Sequence, residues 1–88
     1  MEPDDVDRSH LGEGHYANYA EIAHNVREFV FDFGQVWLKS KPAGIYVRVI
    51  TTPDTAEYIY ELLNQELAKY RNRFGDIPRD PDSDERQL

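Results

Sequence analysis

The sequence contains no cysteine, so any metal ligands in this chain would have to come from histidine and carboxylate side chains. His10, His15 and His24 could hold a metal ion together with Glu13 or Glu21, since imidazole and carboxylate groups are common metal ligands. No standard ligand spacing such as HExxH joins them. The lack of cysteine also excludes disulfides, thiolate metal sites and a cysteine nucleophile. We therefore predict no metal site and no cofactor.

Two further patterns resemble catalytic groups. Asp32-Phe33-Gly34 matches the metal-binding tripeptide of protein kinases, but the chain has no glycine-rich loop and no catalytic loop around it. Glu57 and Glu61 are one helical turn apart, where paired carboxylates are usually solvated charges. The serines have no recognisable triad context. The sequence thus predicts a protein without enzymatic activity; the alternative is an enzyme whose site lies at an oligomer interface and uses Asp32, Arg48 or His24.

A long amphipathic helix should position most of the remaining residues. Thr52 can cap its first turn, and Pro53 follows at the first helical position, where its missing N–H costs nothing. Gly75 is suited to the helix end. Between them an apolar stripe recurs at spacings of four and three: Ala56, Tyr60, Leu63, Leu67, Tyr70 and Phe74. The pattern favours a helix that packs on its own sheet, and a coiled-coil seam is the alternative.

Three strands are predicted before this helix. Residues 16–25 alternate in a strand-like way, although their alanines would also suit a helix, and Asn25 is a turn residue. Arg27 to Leu38 is a stronger strand with a bulge or bend at Gly34. A loop over 39–44 precedes the β-branched strand 45–52. Short connections predict an antiparallel meander, so the fold class is α+β, with three strands followed by one helix.

The two faces of this sheet should both be partly apolar. Phe29, Phe31 and Phe33 share one face by alternation, and this face could take the helix; the sequence does not determine which face the helix covers. The other face would carry Val30, Asp32, Tyr46, Arg48 and Ile50, with an ion pair between Asp32 and Arg48. One helix cannot cover both faces, and a domain of about sixty ordered residues is marginal alone. The sequence therefore predicts self-association, with a twofold dimer as the first choice.

Charge is concentrated at the ends of the chain. The net charge is −7 over 88 residues, of which residues 1–15 contribute −4 and residues 76–88 contribute −3, while residues 16–75 are neutral. A neutral middle with acidic ends is poorly suited to nucleic-acid binding, because contact with phosphates requires clustered Lys and Arg. We interpret residues 1–14 and 79–88 as disordered acidic segments around a single domain over 15–78. No apolar run predicts a membrane span, and a cytoplasmic protein is expected.

Several short motifs in order resemble a known family. They are Tyr16-Ala-Asn18, Asp32-Phe33-Gly34-Gln35, Arg48-Val49-Ile50-Thr51 with Pro53, and Phe74-Gly75. Together they resemble the domain-of-unknown-function 3467 family of small bacterial and archaeal proteins, over roughly residues 16–77. The resemblance implies a compact domain without a known cofactor. It transfers no catalytic residue, because the family has no assigned activity.

The aromatic content favours an interaction module. Aromatic residues make up 12% of the chain, many for so small a core, and Tyr and Trp are enriched at protein interfaces. We predict an accessory protein that self-associates and binds an unidentified protein partner. The alternative is RNA binding through strand aromatics and the basic end of the helix. The predicted interaction residues are Val30, Asp32, Tyr46, Arg48, Ile50, Tyr58, Lys69, Arg71 and Arg73.

Overall fold

A computed structural model describes residues 5–37 and 42–79. Three strands come first: β1 over Tyr19–His24, β2 over Phe29–Gln35 and β3 over Gly44–Thr51. One helix, α1, follows over Pro53–Phe74. The predicted α+β order of three strands and a helix is confirmed. Each of the first two strands is shorter at both ends than predicted. Residues 38–41, at the end of the second predicted strand and in the predicted loop, lie outside the described residues, as do residues 80–88 of the predicted tail.

The strands form an antiparallel meander in the order β1-β2-β3. Asn25 makes the first turn, as predicted, because its side-chain Oδ1 accepts the backbone N–H groups of Arg27 at 2.8 Å and Glu28 at 2.9 Å. Its own backbone N–H donates to the Glu28 carbonyl at 3.0 Å. This local bonding replaces the ladder where the chain reverses.

A bulge interrupts the β2–β3 ladder at Gly34. Phe33 pairs with Val47, whereas Gly34 pairs with Ile45, so Tyr46 is the extra residue on β3. A Cβ atom at Gly34 would lie 1.9 Å from the carbonyl oxygen of Gly44. The bulge predicted at Gly34 is confirmed, and its cause is the close approach of two backbones that a side chain would prevent.

The helix has the predicted capping residues at both ends. Thr52 Oγ1 accepts the backbone N–H of Thr55 at 3.3 Å, and Pro53 occupies the first helical position. At the other end Gly75 has φ +89°, a conformation that L side chains rarely adopt, and its N–H donates to the Arg71 carbonyl at 2.8 Å. These local signals determine where the helix begins and ends.

The helix does not fold back on its own sheet, so the prediction that it packs across one face of the sheet is wrong. Contact between α1 and the strands is marginal. Ala56 is the helix residue that is buried, at 8% exposed, and Leu67 is half-buried; the remaining helix residues are exposed. The reason is the connection: only Thr52 separates β3 from α1, which leaves no loop to reverse the chain. Within the described ranges, no helix is long and apolar enough to cross a membrane.

Candidate interaction surfaces

The face of the sheet that carries Asp32 brings together four of the predicted interaction residues. The register places Val30 opposite Ile50 and Asp32 opposite Arg48 on neighbouring strands. Val30 is half-buried and Ile50 is exposed. The register confirms that these four residues share one face, which we call the ion-pair face, and their role in an interaction stays a prediction.

The predicted ion pair between Asp32 and Arg48 is confirmed. The guanidinium donates two hydrogen bonds to the carboxylate, from Nε to Oδ1 at 2.7 Å and from Nη2 to Oδ2 at 2.8 Å. Asp32 is 8% exposed, whereas most of the Arg48 side chain is solvated. These bonds hold the pKa of Asp32 below its usual value and raise the pKa of Arg48. The bidentate geometry links β2 to β3 and orients the guanidinium.

Tyr46 lies beside residues of the opposite face, which corrects its predicted place next to Arg48. It lines a shallow depression with Phe33 and Val47, and residues 13–17 supply the other side. The rings of His15 and Tyr46 are 5.7 Å apart and tilted. Strict alternation predicted otherwise, but the extra residue of a bulge breaks the alternation and redirects the side chain.

The phenylalanine face is apolar, and within the described ranges α1 makes only marginal contact with the sheet that carries it. Phe29, Phe31 and Phe33 are half-buried on the central strand. Ile22, directly opposite Phe31 on β1, is 63% exposed, and Val49, opposite Phe31 on β3, is also exposed. The His24 ring stacks on Phe29 with centroids 5.1 Å apart. A face of this composition is typical of a protein interface.

The helix presents a second apolar surface, which we call the helix stripe: Ala56, Tyr60, Leu63, Leu67, Tyr70 and Phe74. Tyr60 is 66% exposed, Leu63 56% and Phe74 64%. The rings of Tyr70 and Phe74, one turn apart, have centroids 5.1 Å apart. Ile77 turns back beside this end of the helix and completes a shallow groove with Leu67 and Tyr70. Exposed apolar residues thus run along most of the length of α1.

The remaining predicted residues lie on the helix, apart from the ion-pair face. Lys69 donates to Glu66 at 3.0 Å, and the Arg73 guanidinium lies 5.3 Å from the centroid of the Phe74 ring. Arg71 lies in the last turn with Arg73, at the negative end of the helix dipole. Tyr58 is exposed on the first turns. The structure therefore divides the predicted site among three places: the ion-pair face, the opposite sheet face at Tyr46, and the helix.

The histidines and carboxylates that could bind a metal ion do not cluster in the described residues. Among residues 5–37 and 42–79, no three His, Asp or Glu side chains come close enough to hold a metal ion. His10 approaches Asp7 at 3.9 Å, while His15 and His24 contact Tyr46 and Phe29. The histidines are separated rather than clustered. Activity is not tested by this arrangement, and its absence stays a prediction.

Asn18 has a structural role that the sequence reasoning missed. Its side-chain amide donates to the Val36 carbonyl at 3.2 Å and accepts the Val36 N–H at 2.8 Å. Its backbone N–H donates to the Gly34 carbonyl at 3.1 Å. A carboxamide carries the same donor and acceptor as a peptide group, so it extends the β1–β2 ladder past the strand end. Asn18 lies inside the strand predicted over residues 16–25 and in the motif Tyr16-Ala-Asn18, neither of which predicts a role for its side chain.

Comparison with known proteins identifies a family and nothing more specific. The family model described as "Protein of unknown function (DUF3467)" matches residues 4–79. This span includes all four elements and both apolar surfaces, and it extends further toward the N-terminus than the motifs of the resemblance. No curated protein and no solved structure matches the chain. Since this family model matches most of the sequence, the chain belongs to this family of proteins of unknown function.

Proposed function

We propose that this protein is a small interaction module that self-associates and, once assembled, binds another protein. The observation that carries the proposal is the uncovered helix stripe, because α1 makes only marginal contact with its own sheet. Removing exposed aromatic and aliphatic side chains from water lowers the free energy when a partner covers them. The phenylalanine face offers a second apolar surface on the same chain.

The weak core of the single chain supports self-association. Within the described ranges no large side chain is fully buried, and Ala56 is the one buried apolar residue. Small domains without disulfides or a structural metal commonly need oligomerisation for stability. Helices in proteins are stabilised mainly by packing of their apolar face rather than by propensity. A partner that packs on α1 would supply this missing burial.

Sedimentation equilibrium of the full chain tests self-association. We expect a mass above the monomer value of 10.3 kDa at micromolar concentration, and a melting temperature that rises with concentration. Leu63→Glu, in the helix stripe, should shift the mass toward the monomer. Gln65→Glu adds the same charge outside the stripe and should not. A monomer mass, with cooperative unfolding that does not depend on concentration, would contradict the proposal.

The acidic ends of the chain suit a basic protein partner, because opposite charge accelerates encounter. Residues 1–15 carry −4 and residues 76–88 carry −3, and part of each segment lies outside the described residues. Removing residues 1–14 and 79–88 should mainly slow association and weaken its salt dependence. Substituting an aromatic residue on the phenylalanine face should instead accelerate dissociation. Surface plasmon resonance with the captured partner separates the two rates.

RNA binding is the competing outcome of the partner search. Lys69 already pairs with Glu66, and the strand phenylalanines are half-buried, so neither group is fully available for phosphate or base contacts. Capture from lysate is performed with and without ribonuclease, using the full chain. Recovery of ribonuclease-sensitive RNA without a stoichiometric protein would support the RNA hypothesis and overturn the protein-partner proposal.

We also propose that the module has no catalytic activity. Both carboxylate oxygens of Asp32 accept hydrogen bonds from Arg48, which supports a structural role for this side chain. A broad hydrolase, transferase and redox screen should give no turnover. Turnover that disappears in Asp32→Asn would contradict this, as would stoichiometric metal retained through a chelator wash.

A further inference from the structure

We propose that two copies of this chain pair through antiparallel α1 helices, with Leu63 of each packing against Leu67 of the other. This proposal rests on self-association and specifies its geometry. The occupant of the helix stripe is then the stripe of a second copy. The alternative is that the sheet of the second copy covers the helix stripe, and the experiments below distinguish these two arrangements.

The stripe has the spacing of a helix–helix seam. Its residues alternate at four and three over the 22-residue helix, which is about 33 Å long. Leu63 lies near its centre and is 56% exposed, with half-buried Leu67 one turn away. A seam of this length buries apolar residues over about three heptads. That is enough for knobs-into-holes packing when the attached sheet also contributes to the stability of the dimer.

Charge along the helix decides the direction of pairing. Residues 53–63 contain Asp54, Glu57 and Glu61 and no Lys or Arg, which gives −3. Residues 64–74 contain Lys69, Arg71 and Arg73 against Glu66, which gives 3 − 1, or a charge of +2. Parallel pairing would place the acidic halves together and the basic halves together. Antiparallel pairing places each acidic half beside a basic half, and it also opposes the two helix dipoles.

The sizes of the stripe residues suit the same antiparallel register. With Leu63 opposite Leu67 of the second copy, Tyr60 lies opposite Tyr70, and small Ala56 lies opposite large Phe74. Layers of aromatic with aromatic, leucine with leucine and small with large keep the width of the seam constant. Parallel pairing would instead place Phe74 against Phe74 and Ala56 against Ala56.

The flank of the seam provides a specific ion pair. Glu57 and Arg71 lie on the same side of the stripe, seven positions before and after Asn64. In the antiparallel register, Asn64 is near the twofold axis, so Glu57 of each copy lies beside Arg71 of the other. Glu66 on the opposite flank is already paired with Lys69 of its own helix at 3.0 Å, which limits its repulsion of Glu66 of the second copy.

Charge reversal tests the register. Glu57→Arg and Arg71→Glu should each weaken the dimer about tenfold by sedimentation equilibrium, because two ion pairs per dimer become repulsive. The double variant Glu57→Arg/Arg71→Glu should restore the dissociation constant to within about threefold. Gln65→Arg adds positive charge on the outer side of the helix and should leave dimerisation unchanged. No recovery in the double variant would overturn the antiparallel register.

Disulfide trapping gives an independent test, since the chain has no native cysteine. Asn64→Cys should form a covalent dimer with itself under mild oxidation, because it lies near the proposed axis. Gln65→Cys, on the outer side of the helix, should not. A stable dimer in which Asn64→Cys stays reduced would overturn the helix pairing and leave self-association standing. A monomeric wild-type chain would overturn both proposals.

Discussion

At the residue scale, Gly34 has the strictest steric requirement in the described sheet. A Cβ atom there would lie 1.9 Å from Gly44 oxygen and 2.7 Å from Gly44 carbon, so it would force two strands apart. We expect Gly34→Ala to lower the free energy of unfolding by more than about 2 kcal/mol, measured by urea denaturation. Gly14→Ala is the control, because nothing lies within 4 Å of its Cβ. An equal loss in both variants would contradict the steric explanation.

The Asp32–Arg48 ion pair predicts a dependence of stability on pH. The folded-state pKa of Asp32 is lowered from 3.8, first by the hydrogen bonds from Arg48. A lowered carboxylate pKa contributes stability above the unfolded-state value, and the contribution is lost as pH falls through the folded-state value. We therefore expect Asp32→Asn to be less stable than wild type at about pH 7. The difference should shrink by about pH 2.5.

Urea midpoints across this pH range measure the effect of Asp32→Asn. Glu28→Gln, a carboxylate-to-amide change at an exposed position, serves as the control and should show no comparable loss at neutral pH. A gap between wild type and Asp32→Asn that stays constant down to low pH would show that the ion pair does not cause it.

At the element scale, Thr52 is the residue on which the start of α1 depends. Its hydroxyl accepts the Thr55 N–H and also bonds the Thr55 hydroxyl at 2.9 Å. Thr52→Ala should cost about 1 kcal/mol in the free energy of unfolding, because an amide of the first turn loses its acceptor. Thr52→Ser retains the hydroxyl and should stay near wild type. Circular dichroism during urea denaturation measures both, and equal losses would assign the effect to the lost methyl group.

At the scale of the whole molecule, the domain predicted over residues 15–78 can be tested by truncation. All of residues 5–14 are exposed, and the N-terminal contacts with Phe33 and Tyr46 include His15, which the trimmed chain retains. We expect the melting temperature of the 15–78 chain to stay within a few degrees of the full chain at equal concentration. The family match begins at residue 4, and a large loss of stability would show that the N-terminal segment docks.

Much of the local structure follows from the sequence because short-range interactions determine it. Thr52, Pro53 and Gly75 mark the helix through backbone groups within a few residues. Asn25 makes its turn through its own neighbours. The alternation of β2 and β3 likewise places Asp32 and Arg48 on one face, and an antiparallel register brings them together. These features needed no knowledge of distant contacts.

Tertiary structure alone decided where the helix goes, where Tyr46 lies and what Asn18 does. Amphipathicity predicts that a helix has a face to bury, but it does not say which surface buries it. The direct passage from β3 through Thr52 leaves the helix stripe uncovered by its own sheet. The extra residue at the bulge redirects Tyr46, and Asn18 binds Val36 across eighteen positions. The positions of Tyr46 and Asn18 depend on segments that are distant in sequence, and residue periodicity encodes neither these contacts nor the surface that buries a helix.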